Sequence, residues 1–363
     1  MKKRIFFAAI LVLVAWLLLS GAALAQRYVF QDLGDLGGGG SVASGLNDTG
    51  QVVGSSYTAD NVIQAYVWDP KTKAVLPLGD LGGFESEAYA INNLGQVAGS
   101  SFTPDFYLNP VLWDAATQTI QDLGNLSVAG TCELLALNDQ GQAAGYIFDI
   151  NGNQRAFTLD PPYTTKQLLP NLYHPPYVTA ALGINNNGEV VGESQQDSIG
   201  NLVPFWYHPS TKKMDNLGTL TDWPTSAAFA INNHSQIVGG ADIYYYENGH
   251  AFIWDPVNKM QDLDPSSLNG DSAAYAINDA GQVVGSFNLY GYPSSAFIWT
   301  AAGGMKDLNS LVVNLPAGTH LDIANGINKT GQIVGSYNFG SGAFLLTVAK
   351  PSILPALQLL LTD

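Results

Sequence analysis

The chain has 363 residues with 14 Lys and Arg against 30 Asp and Glu, a formal net charge of −16, yet only 12% of it is charged. A negative field of that size repels phosphate backbones and anionic bilayers, which excludes nucleic acid and acidic lipid as partners. The single cysteine, Cys132, excludes an internal disulfide, so stability must come from packing.

The first element, residues 1–25, reads as a signal peptide. Met1-Lys2-Lys3-Arg4 is basic, Ile5 to Leu19 is apolar, and Ala23-Leu24-Ala25 supplies a small-x-small cleavage pattern. The run is short for a membrane span and no second stretch of spanning length follows. The expected mature protein is secreted, extracellular or periplasmic, and monomeric. Three basic residues leave with the leader, so 11 remain against 30 acids. Residues 26–349 then form the repeat domain and residues 350–363 a C-terminal tail.

Within 26–349 one segment recurs seven times, first as Leu46-Asn47-Asp48-Thr49-Gly50-Gln51-Val52-Val53-Gly54. The Asn returns at Asn92, Asn138, Asn185, Asn232, Asn278 and Asn328, at spacings of 45 to 50 residues. The closing Gly returns at Gly99, Gly145, Gly192, Gly239, Gly285 and Gly335. Recurrence at this period marks a repeat architecture. Each unit reads as four short strands, a to d. Strand a is small-x-small-Ile-Asn, as in Ala88-Tyr89-Ala90-Ile91-Asn92, and Asn-x-x-Gly turns the chain into strand b. Strand c is aromatic, as in Ala251-Phe252-Ile253-Trp254, and Asp-Pro leads into strand d. Strong β-formers at this spacing predict an all-β, seven-bladed β-propeller of four-stranded antiparallel blades.

The chain ends bear on closure. The last unit stops after Ala343-Phe344-Leu345-Leu346, while Tyr28-Val29-Phe30-Gln31-Asp32-Leu33 stands unpartnered at the N-terminus. The N-terminal strand is therefore expected to complete the seventh blade, burying Val29, Phe30 and Leu33. Copy five carries Ser235 in place of the turn Gly, which predicts a distorted turn there.

The motif set Asn-x-x-Gly-Gln-Val-Val-Gly, Ala-Phe-x-Trp and Asp-Leu-Gly-x-Leu-Gly-Gly resembles the extracellular repeats of the HAF family. His250-Ala251-Phe252 is its name-giving triplet, and Arg155-Ala156-Phe157 and Ser295-Ala296-Phe297 are near copies. The resemblance implies secretion, a bacterial source and a repeat architecture. It transfers no catalytic residue.

Candidate chemistry is sparse. No Gly-x-Ser-x-Gly elbow occurs, the histidines fall in different units, and no cofactor or metal is expected. Asp149-Ile150-Asn151-Gly152-Asn153 lacks the ligand spacing of a calcium loop and reads as a hairpin turn. The c-strand tryptophans Trp68, Trp113, Trp254 and Trp299 are expected between blades, and Cys132 in the core.

Variation concentrates in the b–c and d–a connections, which share one face of a meander blade. Phe84, Glu85, Tyr173, Trp223, Tyr244, Tyr245 and Tyr290 lie there and are the candidate ligand-binding residues. The expected function is a binding or scaffold propeller for an extracellular glycan, cell-surface component or protein. The alternative is a glycan hydrolase or lyase drawing on Glu85, Glu87, Glu133, Asp222, Asp271 and Asp322.

Overall fold

The computed structural model describes residues 26–124, 126–127, 131–175, 178–220, 225–241, 249–264, 270–288 and 294–350. The leader, the tail from 351, Trp223, Tyr244, Tyr245, Tyr290 and Asp222 lie outside the described residues.

The strands pair into seven antiparallel sheets of four strands each. Blades 1 to 6 are each one unbroken meander. Blade 2, for example, runs Ser86–Ile91, Gln96–Phe102, Leu108–Asp114 and Thr119–Asp122. Blade 7 takes strands a to c from Leu321–Ile327, Ile333–Tyr337 and Gly342–Val348, and its outer strand is Tyr28–Gly34. The N-terminal strand closes the ring, pairing Tyr28 with Val348 and Asp32 with Phe344. Its buried residues are Tyr28, Phe30 and Leu33, whereas Val29 is 37% exposed. The expected burial of Val29 is thus corrected: the strand's alternation sends Tyr28 and Phe30 inward and Val29 out.

Strand a carries a one-residue bulge at the same point in all seven blades. In blade 2, Ala88 faces Gly99 and Ala90 faces Ala98, leaving Tyr89 unpaired. The bulge presses the strand a backbone onto the closing Gly. A Cβ on Gly54 would lie 1.9 Å from the Val42 carbonyl oxygen, and one on Gly335 1.9 Å from that of Ile323. No side chain fits such a space, so the recurrent Gly is a packing requirement.

The core lies between blades. Val53, Val67 and Leu78 of blade 1 pack on Val97, Val111 and Trp113 of blade 2. Val334, Ala343 and Leu345 of blade 7 pack on Val52, Tyr66 and Trp68 of blade 1 in the same way, across the ring junction. Trp254 and Trp299 pack at two further junctions. Cys132 is 1% exposed, and burial pushes its thiol up to about 12, which makes it a core hydrophobe rather than a nucleophile.

The turn of blade 5 is not distorted. Ser235 adopts φ 57°, and its N–H donates to the Asn232 carbonyl at 3.1 Å, as Gly50 does to Asn47. Its hydroxyl donates to Glu189 Oε2 at 2.8 Å. Glu189 occupies the position held by Gln in the other six copies, so the neighbouring blade supplies a partner for the replacement.

Candidate functional site

The two faces of the ring differ in chemistry. On the a–b turn face the seven repeat asparagines are 3–5% exposed and surround the channel mouth, a cavity of about 410 Å³. In each, the side-chain oxygen accepts backbone N–H groups of its own turn, as Asn92 Oδ1 does from Leu94 and Gln96. Each Nδ2 donates to the backbone carbonyl of the next blade's Asn: Asn92 to Asn138 at 2.9 Å, Asn138 to Asn185 at 2.9 Å. The cycle completes through Asn328 to Asn47 at 3.1 Å. One residue on, Asp48, Asn93, Asp139, Asn186, Asn233 and Asp279 form an outer ring, and each of the first five donates its N–H to the next side chain. Lys329, which has no acceptor, interrupts that pattern and pairs through Nζ with Asp48 Oδ2 at 2.9 Å. Hydrogen bonds within the ring satisfy this mouth, and it is a structural seam.

The opposite face, built from b–c and d–a connections, holds exposed apolar side chains. Phe84, Phe106 and Phe339 are 65%, 74% and 83% exposed. Ile150 and Ile199 also project there, each 82% exposed. All three phenylalanines have left-handed backbone, with φ of 83°, 63° and 59°. Phe106 fills the hairpin position that Asn61, Gly152 and Gly200 fill in blades 1, 3 and 4. Phe84 follows Leu81-Gly82-Gly83, where the preceding copy has Gly39 after Leu36-Gly37-Gly38. Left-handed backbone suits Gly and Asn and costs a bulky residue about 1–3 kcal/mol. Phe339 is held by a hydrogen bond from its N–H to Asp322 Oδ2 at 2.5 Å. Burial holds the Asp322 carboxyl above its ordinary range.

Of the sequence candidates, Phe84 and Glu85 come to this face, and Glu85 joins Glu87, Tyr89, Phe102 and Glu133 around a pocket of about 220 Å³. Tyr89 donates to Glu87 at 2.9 Å and Tyr146 to Glu133 at 2.6 Å. Asp271 and Asp322 are not among the pocket's lining; Asp271 accepts the N–H of Gly249 at 2.8 Å. Tyr173 is half-buried beside His174, their rings 6.1 Å apart. Asp149 accepts the side-chain amide of Asn153 and the backbone N–H groups of Asn153 and Asn151; these bonds cap its own hairpin and hold its carboxyl low, the Asn153 amide first. Sequence reasoning passed over Phe106 and Phe339. Their signal was an aromatic residue in a turn position that other copies give to Gly or Asn.

Among the described residues, no helix is long and apolar enough to cross a membrane. No curated protein matches the sequence. Solved propellers are similar in fold. The β-propeller domain of the trilobed protease from Pyrococcus furiosus superposes with a TM-score of 0.54 at 12% identity, covering 82% of this chain and 91% of that one. Its described open velcro topology contrasts with the strand-closed ring here. The extracellular domain of a one component system from B. thetaiotaomicron gives 0.52 at 10% identity, covering 89% of this chain and 40% of that one. Pyrococcus horikoshii acylaminoacyl peptidase gives 0.50 at 9% identity, with coverage of 89% and 54%. These likenesses are of fold alone. Residues 142–341, more than half the chain, match the family model described as Protein of unknown function (DUF3466), and the chain belongs to that family.

Proposed function

We propose that this protein is a secreted binding propeller whose b–c and d–a loop face recognises an extracellular polymer, a glycan or a protein. The observation that carries this reading is the set of solvent-exposed phenylalanines, Phe84, Phe106 and Phe339, held in left-handed backbone. The turn itself does not call for an aromatic, since Asn61, Gly152 and Gly200 make the hairpin of Phe106 in other blades, and the three rings stand largely in solvent, where they are free for contact. Aromatics on hairpin tips, as Phe106 and Phe339 are, and on the connector, as Phe84 is, offer large contact area at low entropic cost. Secretion is supported by the basic–apolar–small pattern of residues 1–25 and by the HAF-type motifs.

A hydrolase or lyase is the second reading, favoured by the pocket that groups Glu85, Glu87 and Glu133 around Tyr89. The experiment is a panel of extracellular glycans and proteins scored for both saturable binding and turnover. Binding without turnover is expected. Turnover that disappears in Glu87→Gln or Glu133→Gln would replace the binding reading by the enzymatic one.

A further inference from the structure

The loop face is not only apolar. Of the 11 lysines and arginines beyond residue 25, only Arg155 adjoins a b–c hairpin. The others lie in or beside the a–b and c–d turns, on strand d, or at the two chain ends. Acids show no such segregation. Asp60, Asp105, Asp149 and Asp197 occupy the b–c hairpins of blades 1 to 4, the same hairpins that carry Phe106, Ile150 and Ile199. Glu87 and Glu133 add charge at the pocket beneath. On the turn face, by contrast, lysines stand among the acids, as Lys329 does against Asp48. The two faces therefore differ in charge: the turn face mixes lysines and acids, with Leu94 and Val257 exposed among them, and the loop face is acidic with apolar hairpin tips.

We propose that the loop face docks a cationic, amphipathic polypeptide, one whose lysines or arginines alternate with apolar side chains. The inference rests on the binding-face reading and names the partner's chemistry. Phe and Ile tips offer no hydrogen-bonding group to a sugar hydroxyl, but they pack against apolar side chains. An acidic surround repels anionic polymers and steers cationic ones, and a patch of interleaved acid and apolar groups selects the complementary pattern. A basic amphipathic segment satisfies both.

The test uses four probes against the full mature chain: a lysine–leucine peptide of 14 residues, its glutamate–leucine counterpart, oligolysine and chitosan oligosaccharide. The lysine–leucine peptide is expected to bind tightest, at least tenfold over oligolysine and chitosan, and to weaken at least tenfold from 0.15 to 0.5 M salt. The paired change Asp60→Asn with Asp105→Asn, and the pair Phe106→Asn with Phe339→Gly, should each weaken it about tenfold. Removing equal charge from the turn side, by Asp160→Asn in a c–d turn with Asp215→Asn on strand d of blade 4, where it pairs with His208, should change it less than twofold; all four aspartates are exposed. Equal binding of the glutamate–leucine peptide, equal weakening by the turn-face pair, or tighter binding of chitosan would overturn the proposal. If an uncharged ligand of the wider panel depends on Phe106 and Phe339 while the lysine–leucine peptide does not bind, only this inference falls. If no ligand responds to those phenylalanines, the binding-face reading falls with it.

Discussion

Asn328 donates through Nδ2 to the backbone carbonyl of Asn47 at 3.1 Å, joining residues 281 positions apart in sequence. That bond seals the junction between the last blade and the first on the inside, as the N-terminal strand does on the outside. Both the donor and the acceptor are buried, so neither can fall back on water. The same side chain accepts the N–H groups of Thr330 and Gln332 and donates to Gln332 Oε1.

Asn328→Ala should therefore cost about 2–4 kcal/mol, since it orphans several buried groups at once. Asn328→Asp should cost no less, because it keeps the acceptors but sets a carboxylate against the Asn47 carbonyl. Chemical denaturation of both variants checks this. A cost below about 0.5 kcal/mol in each would show that the inner ring does not contribute to closure.

Removal of Tyr28 to Leu33 strips three buried side chains, Tyr28, Phe30 and Leu33, and bares the edge of Gly342–Val348. At about 1.5–3 kcal/mol per buried side chain, the loss rivals the net stability of a whole domain. The truncated chain should aggregate or melt far below the intact one, and Phe30→Ala alone should lower stability by about 3 kcal/mol. An unchanged melting temperature in the truncation would contradict closure by this strand.

Glu193, on strand b of blade 4 (Val190–Gln195), has a buried Oε2 with no partner among the described residues, and burial pushes its carboxyl up to about 7. The folded value exceeds the unfolded one, near 4.5, so the native state holds the proton more tightly. Its contribution is intact below about pH 4.5 and is lost as pH rises through about 7. Glu193→Gln should be more stable than the parent by about 1–3 kcal/mol at pH 8 and about equal to it at pH 4. Thermal unfolding at the two pH values measures the difference; an advantage at pH 4 that vanishes at pH 8 would reverse the assignment.

Much of the ring was legible because each blade repeats its own local chemistry. The Asn-x-x-Gly turns, the aromatic strand c and the spare N-terminal strand prescribe seven meanders and their closure. What the repeat hid was contact between copies. The Asn side chains read as turn formers, yet one of the two Nδ2 donations of each crosses to the next blade. Ser235 looked like a defect because its compensating partner, Glu189, sits 46 positions away. Val29 was misassigned because the burial of an edge strand depends on which of its faces meets strand c and the connector beside it. At the candidate site, Phe84 and Glu85 were visible as loop variation. Phe106 and Phe339 required the backbone angle, which turns an ordinary loop aromatic into a strained one.

The central claim is that strain at the loop face is kept for binding. The most direct measurement compares the triple variant Phe84→Gly, Phe106→Asn, Phe339→Gly with the parent in stability and in ligand affinity together. Gly39 and Asn61 already hold two of these positions in blade 1 and its connector, so the replacements fit the backbone. Relief of left-handed strain should leave the variant as stable as the parent or about 1–2 kcal/mol more so. Its affinity for any ligand captured by the intact protein should fall at least tenfold. A variant that loses stability while keeping its affinity would show that the three phenylalanines serve the fold, and would contradict the assignment of function to this face.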